Sequence, residues 1–475
     1  MKTFYWYDYE TFGLSPRVQR IAQFAGIRTD ENLNVLDEHM FYCKPTHDCL
    51  PAPEACAVTG ITPQLCEQKG LIEHEFIKKI NKEFTVPQTC IVGYNSIAFD
   101  DEFTRHTLFR NFLDPYAWHW QNGNTRWDIL NVARFCYAHK EHESLEWVKN
   151  ENNRPIFKLD KLAPANSIDH TNAHDAMADV RATIGIAKII QETQPVFFNY
   201  ALSLNEKKEV SRQVKLLHPM LLTSSSFGYK CSFTRMVTAL CYHPDYPDRA
   251  IVFNLEQDPE IILELDSNEL KTLVFTKKSD LPKGVDKLEL NELIFNKSPM
   301  FVCSPKPDNF KLSPLLIEKL QVDMDKCMKN LSYIQNNQKQ IQEIVQSIYK
   351  KDSEREMSND IDQSLYDNFV SNKDRKICNH IQSLSSNEIG LLNPDFEDRR
   401  LLKLFLNFKA RNYPELLSED EQEEWFEIVQ SRVQNGENGF LSFDSFENSL
   451  DNLKTSKPEK NKLWQDLEVY AQTFL

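Results

Sequence analysis

No run of apolar residues in this chain approaches the ~20 that a helical membrane span requires, so a transmembrane protein of that kind is excluded. The N-terminal MKTFYWYDYE has neither the basic region nor the apolar segment of a secretory signal, and the expectation is a cytoplasmic protein. C-x-x-C pairs are also missing. Eleven cysteines are scattered from Cys43 to Cys378, which argues against a structural zinc site or a disulfide framework and leaves buried free thiols. Positive charge is in deficit. A formal net charge of −15 argues against any protein that coats nucleic acid through bulk electrostatics, so contact with a polyanion would have to be local. Part of that charge sits in Glu419, Asp420, Glu421, Glu423 and Glu424, a pattern expected of a solvated helix face. Internal repeats and low-complexity linkers are absent too.

What is present is ample core material. Apolar residues make up 41% and charged residues 26% of 475 positions, proportions of a globular chain long enough for two to four domains. Over the first ~185 residues, Phe4 to Tyr9, Ala22 to Arg28 and Val35 to Tyr42 are rich in β-branched and aromatic residues and read as strands. Thr62-Pro63 predicts a helix start, with apolar spacing continuing to about Phe84, and Thr89 to Gly93 reads as a buried strand. Ala176, Val180, Ile184, Ile186, Ala187 and Ile190 predict an amphipathic helix over 173–191. This mixture predicts an α/β domain with one central sheet. From Pro195 to Lys350, short apolar runs such as Ala250 to Leu255 and Ile261 to Leu265 predict a small β-rich domain, followed by a long polar helix from about Pro314. Lys350-Lys351-Asp352-Ser353 marks a plausible boundary, beyond which Trp425, Phe426, Val429 and Val433 indicate a helical domain.

Three carboxylate signals stand out. Asp8 and Glu10 are two apart, and a period of two puts both on one face of a strand, where they can share a cation. Taken alone, a D-x-E pair more often lies on a solvated edge. Asp100 ends the run beginning at Val92, where a strand gives way to a helix near Asp101, and it could equally be an N-cap. In His174-Asp175-Ala176-Met177-Ala178-Asp179, a continuous helix would place His174 and Asp179 on neighbouring faces, whereas a His174 in the preceding loop could swing over a site anchored by Asp179. The bland alternative has Asp175 as a cap and His174 exposed. Together the three are stronger. Converging acids repel one another and raise their pKa values, which folded proteins tolerate mainly by binding metal. Mg²⁺ favours such hard oxygens, and a neutral histidine beside it can take a proton from water.

The order D-Y-E-T-F-G, N-x-x-x-F-D and H-D-A-M-A-D resembles the DnaQ-like DEDDh exonuclease superfamily, named for its four acids and histidine. Within it, the stretches at Phe41 to Pro45, Thr59 to Pro63, Asp114 to Trp118, Ser167 to Asp179 and Phe408 to Pro414 are similar to the bacterial exodeoxyribonuclease I family along nearly the whole chain. The resemblance implies a ribonuclease H-like exonuclease domain with a mixed central sheet at 1–190, an SH3-like β-barrel domain with a trailing helix at 195–350, and an α-helical C-terminal domain at 351–475. It implies 3′→5′ degradation of single-stranded DNA to 5′-mononucleotides in DNA repair and recombination, by two-metal hydrolysis. Asp8, Glu10, Asp100 and Asp179 would hold two Mg²⁺, with Mn²⁺ possible, and His174 would be the general base. Partners implied are single-stranded DNA, in a positively lined channel, and the C-terminal tail of single-stranded DNA-binding protein; a monomer is expected.

Between Arg105 and Tyr137 the chain interleaves Arg105, Arg110, Tyr116, Trp118, Trp120, Arg126, Trp127, Arg134 and Tyr137. Rings beside cations suit a groove that must hold any base, although an aromatic core helix with a basic outer face gives the same pattern. The resemblance narrows the strand contacts to Arg105, Tyr116, Trp120, Arg134 and Asn172, with Asn296 in the middle domain. Lys158 stands where the family has arginine, keeping the charge but losing the bidentate fork. Glu10, Thr11 and Phe12, by adjacency to the metal-binding strand, are candidates to touch the terminal nucleotide. Two other readings are an exoribonuclease or polymerase proofreading subunit, and an inactive scaffold recruiting the single-strand-binding protein. The nearly 290 residues after the catalytic domain count against the first, and the retention of all four acids and the histidine against the second.

Overall fold

Strand β1 (Thr3–Thr11) shows how alternation builds the first sheet: Tyr5, Tyr7 and Tyr9 enter one aromatic core with Phe24, Phe84, Phe103 and Trp118. Asp8 and Glu10 therefore belong to the opposite face. The computed structural model describes residues 2–140, 144–170, 175–303, 314–351 and 357–474. They group into two units, one of residues 1–125, 170–181 and 355–475 and the other of residues 126–169 and 182–354.

In the first unit, β1 pairs antiparallel with β2 (Ile21–Thr29) and parallel with β4 (Thr89–Gly93), and β2 pairs antiparallel with β3 (Val35–Tyr42), giving a mixed sheet. The predicted helix from Pro63 to Phe84 is two helices, Pro63–Lys69 and Glu73–Phe84. Thr62 caps the first through its hydroxyl, which accepts from the Leu65 amide at 3.1 Å. Gly70 ends it because the chain there runs against backbone: a Cβ would lie 2.4 Å from the Cys66 carbonyl and 2.6 Å from the Lys44 amide. The predicted helix over 173–191 is found at Ala176–Thr193.

The C-terminal residues of this unit are helical, including Arg399–Asn412, Glu419–Val433, Phe443–Ser456 and Asn461–Ala471. Two apolar clusters join them to the N-terminal sheet region. Phe12, Ala22, Leu50 and Cys56 pack with Trp464, Leu467 and Tyr470, while Phe109 and Phe112 pack with Phe396, Phe405 and Phe408. The same unit holds a buried ion network. Arg432 meets Asp48 at 2.7 Å, Asp360 at 2.9 Å and Asp362 at 2.8 Å; Arg411 meets Asp362 at 2.7 Å; Arg20 meets Asp48 at 2.6 Å; and Arg110 meets Glu73 at 2.9 Å.

The second unit carries an antiparallel five-stranded sheet in the order β10-β6-β7-β8-β9: β6 (Pro219–Thr223), β7 (Thr234–Tyr242), β8 (Arg249–Asn254), β9 (Leu290–Ile294) and β10 (Met300–Cys303). Strand β5 (Thr125–Asp128) lies where the chain leaves the first unit. Ala250 to Leu255 is a strand as expected, but Ile261 to Leu265 is not: Ile261–Glu264 is a short helix that buries Ile262. A short apolar run is ambiguous between the two periods, and the Asp266 capping box that starts the next helix leaves room for only one turn. The long polar helix expected from Pro314 is three helices, Pro314–Leu320, Met324–Asn336 and Gln338–Tyr349. Their apolar stripes, including Leu331, Ile334, Ile341, Val345 and Ile348, pack on Leu240, Ile251 and Phe253 of the sheet.

Candidate active site

The register of β1 decides where the first two acids lie. Asp8 stands opposite Ala25 and Glu10 opposite Gln23 on β2, with a register shift just after Glu10. Asp100 opens the helix Asp100–Arg110, one residue earlier than expected, and is 4% exposed. Its Oδ1 accepts from the backbone amide of Tyr9 at 3.3 Å, so it reaches the strand at the residue between Asp8 and Glu10. Asp101 has a different task on the aromatic side, accepting from the Tyr7 hydroxyl at 2.7 Å. Asp179 stands in the first turn of the helix Ala176–Thr193. One oxygen each from Asp8, Glu10 and Asp179 lie within 4.8 Å of one another. Asp100 falls outside that triplet yet is the largest carboxylate influence on Asp8.

These groups oppose ionisation in one another. Burial first, then the charges of Asp100, Asp179, Glu10 and Asp175, push the Asp8 carboxyl well above the usual range. Burial, then Asp179, Asp100 and Asp175, push Glu10 from 4.5 up to about 9. Each leading influence points the same way, and a divalent cation would reverse it. Hard oxygens at this spacing are the donor set such a cation takes, so the residues fit the metal centre. Asp175 contributes to this field while capping the helix: its Oδ1 accepts from the amides of Met177 at 3.1 Å and Ala178 at 3.2 Å.

His174 and Asn172 lie outside the described residues. His170, which the sequence did not single out, sits beside the acids: its Nε2 is 2.5 Å from Asp179 Oδ1. His170 lies outside the helix Ala176–Thr193 and its period, so only the motif's proximity could have suggested it.

The remaining candidates divide by burial. In the first unit, Trp120 is 61% exposed, and Tyr116 lines a cavity of about 260 Å³ with Phe112, Gln121, Phe369 and Arg375. Arg105 is buried, paired with Glu102 at 2.6 Å and set over the Tyr116 ring at 5.8 Å. Thr11 is buried, donating to the Gly13 carbonyl at 2.7 Å, and Phe12 belongs to the apolar cluster with Trp464. Arg110 and Trp118, read as part of a basic aromatic groove, are instead wholly buried, the first tied to Glu73 and the second in the β1 core. In the second unit Trp127, Arg126 and Tyr137 are also buried, and Arg126 donates to the Asn296 carbonyl at 2.8 Å. Arg134 donates to Asn131 at 3.0 Å, and Lys158 is exposed just before the helix Leu159–Ala165.

Three family models cover the chain: "Exonuclease" over residues 5–187, "Exonuclease I SH3-like domain" over 205–351 and "Exonuclease I C-terminal domain" over 359–474. Exodeoxyribonuclease I of Haemophilus influenzae is 38% identical over 473 residues, 99% of this chain and 98% of that protein. Escherichia coli exonuclease I in complex with a dA16 oligonucleotide superposes with a TM-score of 0.93 at 36% identity, both chains covered in full. The zinc-bound form of the E. coli exonuclease I complex with single-stranded DNA gives 0.91 at 36%, and an SSB/exonuclease I structure with an inhibitor gives 0.89 at 35%, again over the whole of both chains.

Proposed function

The chain belongs to the exonuclease I family, and from that premise we propose that Asp8, Glu10, Asp100 and Asp179 form the centre at which it shortens single-stranded DNA. It is a hydrolytic 3′→5′ exonuclease of single-stranded DNA, releasing 5′-mononucleotides, and depends on divalent metal. The observation that carries the assignment of the site is the meeting of Asp8, Glu10 and Asp179 within 4.8 Å from points far apart in the sequence.

Two Mg²⁺, with Mn²⁺ as an acceptable substitute, would supply charge stabilisation for the attacking and leaving oxygens of an in-line displacement at phosphorus. Asp8, Glu10 and Asp179 would hold them, and Asp100 would complete the acidic field from the helix start. His174 would take the proton of the attacking water, its ordinary pKa lying close to neutral pH. The phosphodiester then parts so that the shortened strand keeps its 3′ oxygen and the phosphate leaves on the 5′ carbon of the released nucleotide. Thr11 and Phe12, with Glu10, would bear on the terminal nucleotide; Arg105, Tyr116, Trp120, Arg134, Lys158, Asn172 and Asn296 would contact the strand.

The division into 1–190, 195–350 and 351–475 is supported by the three matched spans. The C-terminal tail of single-stranded DNA-binding protein is the proposed protein partner, supported by the similar SSB/exonuclease I structure. The proposal further takes the protein to be monomeric and cytoplasmic. Among the described residues no helix is long and apolar enough to cross a membrane.

The test uses purified protein with 5′-labelled single-stranded DNA, duplex DNA and RNA of one sequence, with Mg²⁺ and with chelator. Stepwise shortening of single-stranded DNA from its 3′ end, lost with chelator and in Asp179→Ala, is expected. Faster RNA loss would reject the substrate, and an active Asp179→Ala would reject the site.

A further inference from the structure

Asp179 stands in the first turn of its helix, its side chain 19% exposed and its carboxylate beside those of Asp8 and Glu10. The His170 imidazole, with a side chain 2% exposed, meets Asp179 Oδ1 at 2.5 Å through Nε2. A carboxylate can only accept, so Nε2 donates, while Nδ1 is buried without a hydrogen-bond partner among the described residues. A buried ring with one nitrogen unsatisfied is costly, which indicates that the Nε2 contact is what keeps the ring there.

We propose that His170 is a positioning residue for the metal centre: by donating from Nε2 to Asp179 Oδ1 it fixes the carboxylate in the orientation that lets it share a cation with Asp8 and Glu10. Hydrogen-bonded partners of ligating groups set ligand geometry in this way, and losing one costs about 10- to 100-fold in metal affinity or activity. His170 is distinct from the proposed proton acceptor His174. It touches neither water nor phosphate in this role, and acts only through Asp179. The inference rests on the reading of Asp8, Glu10 and Asp179 as metal ligands.

The experiment measures Mn²⁺ binding to the full-length protein by electron paramagnetic resonance, without DNA, in wild type, Asp179→Ala, His170→Leu and His170→Gln. It also titrates Mg²⁺ in single-stranded DNA hydrolysis. His170→Leu should bind Mn²⁺ about 10- to 100-fold more weakly and need correspondingly more Mg²⁺. At saturating Mg²⁺ its kcat and its KM for DNA should approach wild type. His170→Gln, whose amide nitrogen can occupy the Nε2 position, should recover most of the loss. Should His170→Leu not fold, His170→Asn replaces it, polar but too short to reach Asp179, with the same expectation. Unchanged Mn²⁺ affinity in His170→Leu, a kcat deficit that Mg²⁺ does not correct, or His170→Gln as weak as His170→Leu would each overturn the proposal. Failure of wild type to bind Mn²⁺ would instead overturn the metal centre itself.

Discussion

Replacing Arg432 with methionine tests whether the buried ion network holds the first unit together. The guanidinium is 2% exposed at its side chain and reaches three carboxylates, Asp48 at 2.7 Å, Asp362 at 2.8 Å and Asp360 at 2.9 Å. Four arginines, Arg20, Arg110, Arg411 and Arg432, face four acids, Asp48, Glu73, Asp360 and Asp362, so removing one cation strands a negative charge in the interior. Breaking a buried pair in this way costs about 3–5 kcal/mol. For a cooperative unit of this size, about 2 °C of Tm is lost per kcal/mol, which gives a fall of roughly 6–10 °C. Differential scanning calorimetry of the full-length protein reads it directly. Asp360 provides the internal check. Burial already pushes its carboxyl up and Arg432 is the leading influence pulling it down, so Asp360→Asn in the Arg432→Met background should return about 1–3 kcal/mol. A Tm fall below about 2 °C in the single variant, or a further fall in the double, would refute the account of the network as a charge-balanced core.

In metal-free protein, Glu10 is raised from 4.5 to about 9, so its contribution to stability is complete below the lower value and is lost as pH climbs toward the upper. The slope is at most ~1.4 kcal/mol per pH unit; chelated protein should melt at lower temperature at about pH 8 than at about pH 6, and the stabilisation by Mg²⁺ should grow over that range, whereas a pH-independent Mg²⁺ effect would contradict the acidic cluster. Trp120→Ala, removing a ring 61% exposed, should raise KM for single-stranded DNA by about 1–3 kcal/mol of lost stacking without changing Tm; Trp118→Ala, in the core, should do the opposite, losing about 3–5 kcal/mol of stability. Lys158→Arg should tighten DNA by about 1 kcal/mol while leaving the salt dependence unaltered, since the number of charges is the same; a steeper salt slope would place Lys158 away from the phosphates.

The placement of the candidate site residues was legible wherever local periodicity controls it. Asp8 and Glu10 could be put on one face because β1 obeys a period of two, and the same alternation sends Tyr5, Tyr7 and Tyr9 to the core. Thr62 as a cap and Thr89 to Gly93 as a strand followed from equally local rules. Long-range partnerships left no such trace. Arg110 looked like a strand-binding cation because it lies among tryptophans, but its partner Glu73 is 37 residues away. Arg432 finds Asp48 across 384 residues, and no pattern along the chain announces that pairing. His170 was missed for the same reason: it lies nine positions before Asp179 and outside the helix Ala176–Thr193, so the helical period does not relate the two.

What separates the proposed catalytic acids from the structural ones is therefore not burial, which both groups share, but the charge brought to meet them. Asp48 and Asp362 are buried like Asp100, yet Arg20, Arg411 and Arg432 hold their carboxyls well below the usual range. Asp8 and Glu10 are pushed the other way, and the leading influences on them after burial are carboxylates. The same unit thus satisfies one set of buried acids with four arginines and leaves another set to repel. A permanent guanidinium at the second set would relieve that repulsion but occupy the oxygens proposed to hold a cation. Leaving those acids unneutralised costs stability in the metal-free protein, and under the proposed assignment a divalent ion with open coordination positions would offset it while keeping the site able to accept substrate.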